Sequence, residues 1–401
     1  MIFNIVVPIE TRRQQRGYFS ANNSQLKQTE SILMKFNTVQ LRINFSRLSV
    51  ISIFWWFAAV YFVSSEYFNI VHFAKPLGIN YKVEYNFSKQ LFITMLFAFI
   101  AAFLLGAFEV FYLRDRLRKF SFGFILFLKS CFYIISMFLF ITAASFLYQT
   151  IFTNKSFFDP RVIEGVKHHL FSELFFNQLI SWSVVIIITN FVLQVSDKFG
   201  QGVLLNYLSG KYHEPKEEER VFMFLDLKSS TTIAEQLGHN KYFQFINEYF
   251  NDMTDPILFS RGEIYQYVGD EIVVSWQIKN GLADNNCINC FFKIKEAVEN
   301  VGYKYKAKYG FVPEFKAGIH IGKAVAGEVG VIKKEIVFSG DVLNTAARIQ
   351  TKCNEYGVKL LASEDLIAKL NFAPDYKAVE IGEVTLRGKK SPTHLYSIEK
   401  K

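Results

Sequence analysis

Two aspartates, Asp226 and Asp270, close the two stretches of this sequence best suited to grip a divalent cation. Asp226 lies at the end of the apolar run Arg220 to Leu227 (RVFMFLDL), which reads as a buried strand. The small-residue loop Lys228-Ser229-Ser230-Thr231-Thr232 follows, and a helical pattern begins near Ile233. An acid in that place suits Mg²⁺, and the loop N–H groups with the helix dipole suit a phosphate. Ser229, Ser230 and Thr231 thus read as anion contacts, or simply as caps of the helix. Asp270 sits in the Gly269-Asp270 turn of Gly262 to Trp276 (GEIYQYVGDEIVVSW), whose β-rich flanks predict a hairpin. Two strands ending at one sheet edge would bring the two carboxylates together. Such a pair repels unless cations stand between them. Two metals roughly 4 Å apart are the usual clamp for in-line phosphoryl chemistry.

Three further segments carry polar groups of the right kind. Phe315 to Gly330 (FKAGIHIGKAVAGEVG) reads as a strand, a Gly-Lys turn and a second strand. Lys323 at that turn is a phosphate contact or an exposed hairpin lysine, and His320, alternating with apolar neighbours, is a packed strand residue. Gly340 to Arg348 (GDVLNTAAR) places Asn344 and Arg348 four apart, on one helix face. An amide beside a guanidinium can hold a ribose and meet negative charge growing on phosphorus, or the two are a plain surface pair. Leu386-Arg387-Gly388-Lys389-Lys390 is a basic turn between two late strands, able to take a triphosphate or only water.

Taken in order and spacing, the motifs F-L-D-L-K-S-S-T, Y-V-G-D-E, G-I-H-I-G-K-A-V-A-G and G-D-V-L-N-T-A-A-R resemble the class III nucleotidyl cyclases, the adenylyl and guanylyl cyclases, over roughly residues 218–398. The overall layout resembles the membrane-anchored bacterial members. The resemblance implies an α+β, ferredoxin-like βαββαβ catalytic domain. It implies two divalent cations, Mg²⁺ or Mn²⁺, held by Asp226, Asp270 and the backbone carbonyl of Leu227. Asn344 and Arg348 match the ribose-orienting and transition-state-stabilising pair. Lys323 stands where the family often has a phosphate-binding Arg, and Arg387 or Lys389 matches its late phosphate-binding turn. The family's sites form between two catalytic domains, so one domain per chain implies a homodimer with active sites at the interface.

The base-reading positions depart from that pattern. Gln266 stands where adenylyl cyclases usually carry Lys and guanylyl cyclases Glu. Val337 stands where the family has Asp or Thr. Gln266 can donate or accept, so it suits either base, and Val337 has no side-chain hydrogen bond to give. ATP is the expected substrate, with GTP the alternative. A catalytically weak or inactive receptor-like protein that only binds nucleotide or a partner is the rival reading.

The elements that must position these groups divide into two regimes. The chain has 401 residues, 17% of them aromatic, including 44 Phe. Residues 48–196 are dominated by Phe, Ile, Leu and Val, whereas residues 211–401 have the mixture of a water-soluble domain. Four apolar runs, near residues 48–65, 91–113, 122–152 and 174–195, reach the roughly 20 residues that span a bilayer. The expected organisation is a cytoplasmic N-terminal segment over 1–45, a four-helix membrane domain over 46–196, a linker over 197–217 and a catalytic domain over 218–401. Within the linker, Val203 to Leu208 could form a short amphipathic helix, as a passive tether or a coupler. Met34 is a second candidate start.

The net charge of +9 does not point to nucleic acid, because the basic residues flank the apolar runs rather than form one tract. Their bias places both termini on the cytoplasmic side of the inner membrane, so the catalytic domain faces the cytosol. Glu109 and Lys129 read as bilayer-boundary residues, with Lys129 snorkelling, or as part of a sensor in the bundle interior. Cys287-x-x-Cys290 has no second pair to complete a zinc site and reads as packed thiols on a helix.

Overall fold

The computed structural model describes residues 44–45, 48–49, 51–74, 86–117, 120–199, 206–207, 209–372, 374–389 and 391–401. The chain divides into two compact units, Leu41–Leu204 and a second unit whose continuous part is Leu205–Lys401. The N-terminal segment and most of Val203 to Leu208 lie outside the described residues.

In the first unit, four helices among the described residues are long and apolar enough to cross a membrane: α1 (Ile51–His72), α2 (Phe87–Phe108), α3 (Phe122–Thr153) and the stretch Phe175–Ser196. The first continues through Glu66 to His72. A short amphipathic helix, α4 (Pro160–Leu170), precedes the last span, which belongs to α5 (Glu173–Phe199). Small residues let the helices approach: Ala59, Ala98, Ala101 and Ala102 are buried with Trp55, Trp182 and Ile186 in one core. Glu109 and Lys129 pair with each other inside this unit, with side-chain exposures of 12% and 8%. Opposite charge on the neighbouring helix neutralises Lys129 in place, so it has no need to snorkel.

The second unit is built on β1 (Lys216–Leu227), α6 (Ser230–Leu237), α7 (His239–Phe259), β2 (Glu263–Val268), β3 (Glu271–Gln277), α8 (Asn286–Asn300), α9 (Gly302–Tyr309) and β4 (Phe315–Val329). These give the sheet order β2-β3-β1-β4 with antiparallel neighbours, which is the expected ferredoxin-like arrangement. Four strands extend it. β5 (Glu335–Ser339) pairs with β4. Beyond α10 (Asp341–Glu355), β6 (Leu360–Ser363) joins β4 in parallel, followed by β8 (Thr393–Lys400) and β7 (Tyr376–Val384).

Side-chain alternation along β1 decides what lies on each face. Val221, Met223, Leu225 and Leu227 pack with Phe245, Tyr249, Met253 and Phe291 of α7 and α8. Phe222, on the opposite face, packs with Phe338, Val342 and Ala346, beneath α10. A Cβ on Gly318 of β4 would lie 2.2 Å from the backbone nitrogen of Gln350 and 2.6 Å from the carbonyl oxygen of Ala346. Only glycine permits α10 to press so closely on the sheet.

The structure corrects the reading of Gly322-Lys323 as a turn. β4 runs straight through both residues, held by β1 from Lys216↔Ala326 to Leu227↔Phe315. The strand β1 begins at Lys216, four residues before the apolar run, and this extra length keeps β4 extended. Cys287 and Cys290 are buried on α8, and burial pushes the Cys287 thiol up to about 12. His320 is buried as expected, its Nδ1 2.7 Å from Ser363 Oγ.

Candidate active site

β1 delivers Asp226 to the sheet edge, opposite Glu271 of β3 and Lys316 of β4. The β2–β3 hairpin turns through Gly269, whose φ of +62° suits a residue without Cβ, and Asp270. The two aspartates meet there. Burial, a hydrogen bond to Asp270 and the Asp270 charge raise the Asp226 carboxyl above its usual range, against the pull of Lys316. Burial and the same two charges push Glu271 up to about 7. Asp270 Oδ2 is buried and has no hydrogen-bond partner among the described residues.

One oxygen of Asp226 is tied down. Its Oδ2 accepts from Gln350 Nε2 at 3.0 Å and pairs with Lys316 Nζ at 3.3 Å. Neither partner was picked out in the sequence. Lys316 could have been found from the β1–β4 register, and Gln350 lies on the face of α10 opposite Arg348, where a buried polar side chain signals a purpose.

This donor set fits a divalent cation. Crowded carboxylates with raised pKa and an orphaned buried oxygen are relieved by positive charge. Asp226, Asp270 and the carbonyl of Leu227, the last residue of β1, are the groups that would hold it. No group of three or more His, Cys, Asp and Glu side chains forms a metal cage among the described residues. Mg²⁺ sites commonly use one or two carboxylates and complete the shell with water and substrate phosphate.

The helix after β1 starts earlier than expected, at Ser230 rather than near Ile233. Ser229 takes a left-handed φ of +59° and makes no side-chain cap, while its carbonyl accepts from Ile233 N–H at 3.0 Å. Ser229 and Thr231 are exposed and Ser230 half-buried beside the Asp226 strand end.

Among the other predicted residues, Arg348 and the basic turn around Gly388 form a second group. Asn344 is exposed and Arg348 half-buried on α10. A Cβ on Gly388 would stand 3.5 Å from Arg348 Nη2, so the guanidinium lies against the basic turn. Within that turn Lys389 pairs with Asp341 at 3.3 Å, leaving Arg387 exposed. Gln266 is exposed on β2, and Val337 is half-buried on β5 opposite Gly327. Lys323 joins neither group. It is 72% exposed, pairs with Glu217 at 2.7 Å, and lies seven residues beyond Lys316 on β4. That separation is about 23 Å along a strand.

Residues 212–400 match the adenylate and guanylate cyclase catalytic domain. Adenylate cyclase 2 of Rhizobium meliloti (strain 1021) is 38% identical over 208 residues, covering 52% of this chain and 57% of that protein. Adenylate cyclase 1 of the same organism is 25% identical over 186 residues, covering 45% of this chain and 27% of that protein. The chain thus spans less than two thirds of either relative. Among solved structures, the adenylyl cyclase CyaB from P. aeruginosa is 18% identical with a TM-score of 0.42, over 47% of this chain and 97% of that one. The guanylyl cyclase Cya2 is 21% identical with a TM-score of 0.38, over 46% of this chain and 92% of that one. The likeness to the known cyclases is therefore carried by residues 212–400.

Proposed function

We propose that the chain is a membrane-bound nucleotidyl cyclase that converts ATP, with GTP as the alternative, to the 3′,5′-cyclic nucleotide and pyrophosphate. Its four apolar helices would anchor it in the inner membrane, with residues 218–401 as the cytosolic catalytic domain after the 197–217 linker. The observation that carries this reading is the Asp226–Asp270 pair, with one oxygen of Asp226 fixed by Gln350 and Lys316 and the buried Oδ2 of Asp270 left open. ATP is favoured because the most similar relatives reported above are named adenylate cyclases.

Two divalent cations held by Asp226, Asp270 and the Leu227 carbonyl would acidify the ribose 3′-hydroxyl and offset phosphate charge. The free N–H groups at the start of α6, with Ser229, Ser230 and Thr231, would cradle the phosphate chain. Asn344 would orient the ribose, and Arg348 would meet the charge growing on the α-phosphoryl as the 3′-oxygen attacks in line. Arg387 or Lys389 would bind the departing pyrophosphate. Gln266 and Val337 would face the base. Arg348 and Gln350 are two positions apart on α10, about 200° around the helix. Because Gln350 is turned to Asp226, Asn344 and Arg348 face away from the aspartates of their own chain. This supports a homodimer in which each site takes its aspartates from one protomer and its Asn/Arg pair from the other.

The test is purified full-length protein with Mg²⁺ or Mn²⁺ and either ATP or GTP. Cyclic product should form, and Asp270→Ala should abolish it while the protein stays folded. Wild-type-like turnover by Asp270→Ala would refute the metal assignment. The apolar Val337 at a base-reading position favours one rival, a domain that binds nucleotide without turnover; tight binding with no product would establish that instead.

A further inference from the structure

The apolar helical unit contains an ionic cluster that the cyclase reaction does not use. Glu109, at the end of α2, accepts from Lys129 Nζ on one carboxylate oxygen and from Tyr133 O–H on the other. Lys129 and Tyr133 are one turn apart on α3, so both reach the same carboxylate. The backbone changes at this point as well: Glu109–Leu113 forms a π-helical turn, a feature often found where a helix carries function. A charge pair between apolar helices is costly, and such residues mark working sites by default.

Glu109 and Tyr133 also line a cavity of about 20 Å³, together with Ile51 and Trp55 of α1, Gly106 of α2, and Thr189 and Asn190 of α5. Two buried donors on its wall, Trp55 Nε1 and Asn190 Nδ2, have no hydrogen-bond partner among the described residues. Both residues are only 4% exposed. Thr189 offers no proton to the cavity, because its hydroxyl donates to Val185 O at 2.7 Å. An unpaired buried donor is costly, and two on one cavity wall call for a shared acceptor.

We propose that this cavity is a built site for one water molecule, which accepts from Trp55 Nε1–H and Asn190 Nδ2–H and donates to the Glu109 carboxylate. The volume suits it, since a water needs roughly 10–15 Å³ of such space and two to four polar partners. The charges select it. A carboxylate on the wall repels an anion, and two N–H donors repel a cation. Water alone satisfies both signs. The resulting network joins α1, α2, α3 and α5 through hydrogen bonds, in a unit whose remaining contacts are largely apolar. Any sliding of one helix past the others has to break it.

The test uses the full-length protein in lipid nanodiscs. Infrared difference spectra between H₂¹⁶O and H₂¹⁸O should reveal one strongly hydrogen-bonded O–H stretch. That band, and the Glu109 carboxylate stretch assigned with Glu109→Gln, should both change in Trp55→Phe and in Asn190→Leu. Thermal unfolding of the two single variants and the double variant should be non-additive, the second substitution costing less than the first, because both donors serve one water. The wild-type spectrum decides the matter even if a variant fails to fold. Absence of an ¹⁸O-sensitive band would overturn the proposal by showing a dry cavity. A carboxylate band that moves with NaCl or KCl concentration would overturn it in favour of an ion.

Discussion

Gln350 reaches from α10 to Asp226 at the end of β1 and donates its side-chain amide to Oδ2 at 3.0 Å, on the same oxygen that Lys316 engages. The bond fixes the rotation of the carboxylate and leaves Oδ1 to point elsewhere. Partners of this kind, which hold a ligand rather than the metal, commonly carry 10- to 100-fold in metal affinity. Gln350→Leu should therefore weaken Mn²⁺ binding by roughly tenfold or more while preserving the fold. Isothermal titration of Mn²⁺ into the purified protein, with circular dichroism as the control for folding, measures this. Unchanged affinity would mean that the bond orients nothing of consequence.

That bond depends on how closely α10 lies on the sheet, and Gly318 sets the distance. A Cβ there would meet backbone atoms of Ala346 and Gln350, which cannot swing aside as a flexible side chain would. Gly318→Ala should lift α10 and cost at least the 1–3 kcal/mol typical of overpacking. Its thermal unfolding midpoint should fall, and Mn²⁺ affinity should fall with it as Gln350 is displaced. A variant with wild-type stability and affinity would contradict the role given to this glycine.

The hairpin carrying Asp270 was legible in the sequence because its turn chemistry is local. The βαββαβ order came from the resemblance of the motifs to the nucleotidyl cyclases, and the strand order bears it out. The Gly322-Lys323 step was not legible. Gly-Lys between two apolar stretches looks like a turn until one sees that β1 extends to Lys216 and pairs across it. The pairing of Glu109 with Lys129 was hidden for the same reason. Each is an isolated charge in an apolar run, and only helix pairing places one beside the other. Gln350 was invisible because nothing along the chain links it to Asp226, 124 residues earlier. Local patterns disclosed the acids. The groups that orient them emerge from strand register and packing.

Stability should decline in mild acid through His320. Burial is the main cause that lowers its pKa to about 4 from an ordinary 6.5, aided by the charge of Lys389 and opposed by Asp365 and Asp341. Its ring nitrogen also meets Ser363 Oγ at 2.7 Å. Between about pH 6.5 and pH 4 the unfolded chain binds a proton at this residue that the folded chain refuses. By linkage, folding stability then rises with pH across that window and is lost as pH falls through it. The loss approaches roughly 3 kcal/mol when complete. Thermal melts of the wild type and His320→Gln from pH 7 to pH 4 should converge as the pH drops, since the variant lacks this term. Parallel curves would assign the acid sensitivity to other groups.

The opposite orientations of Gln350 and Arg348 on α10 lead to a test of the shared site. If each site combines the aspartates of one protomer with the Asn344/Arg348 pair of the other, Asp270→Ala and Arg348→Ala should each be inactive as homodimers. Co-expressed, they form mixed dimers in which one site inherits both lesions and the other none. With equal amounts and random pairing, half of the dimers are mixed and each has one good site of two. Activity should return to roughly a quarter of the wild-type level, as closed two-fold symmetry requires. Measured cyclic nucleotide production from membranes carrying both variants decides it. Activity no higher than that of either variant alone would mean that Asp226, Asp270, Asn344 and Arg348 act within a single chain. The face of α10 bearing Arg348 would then have to turn toward its own sheet edge, against the Gln350–Asp226 bond that now holds the helix.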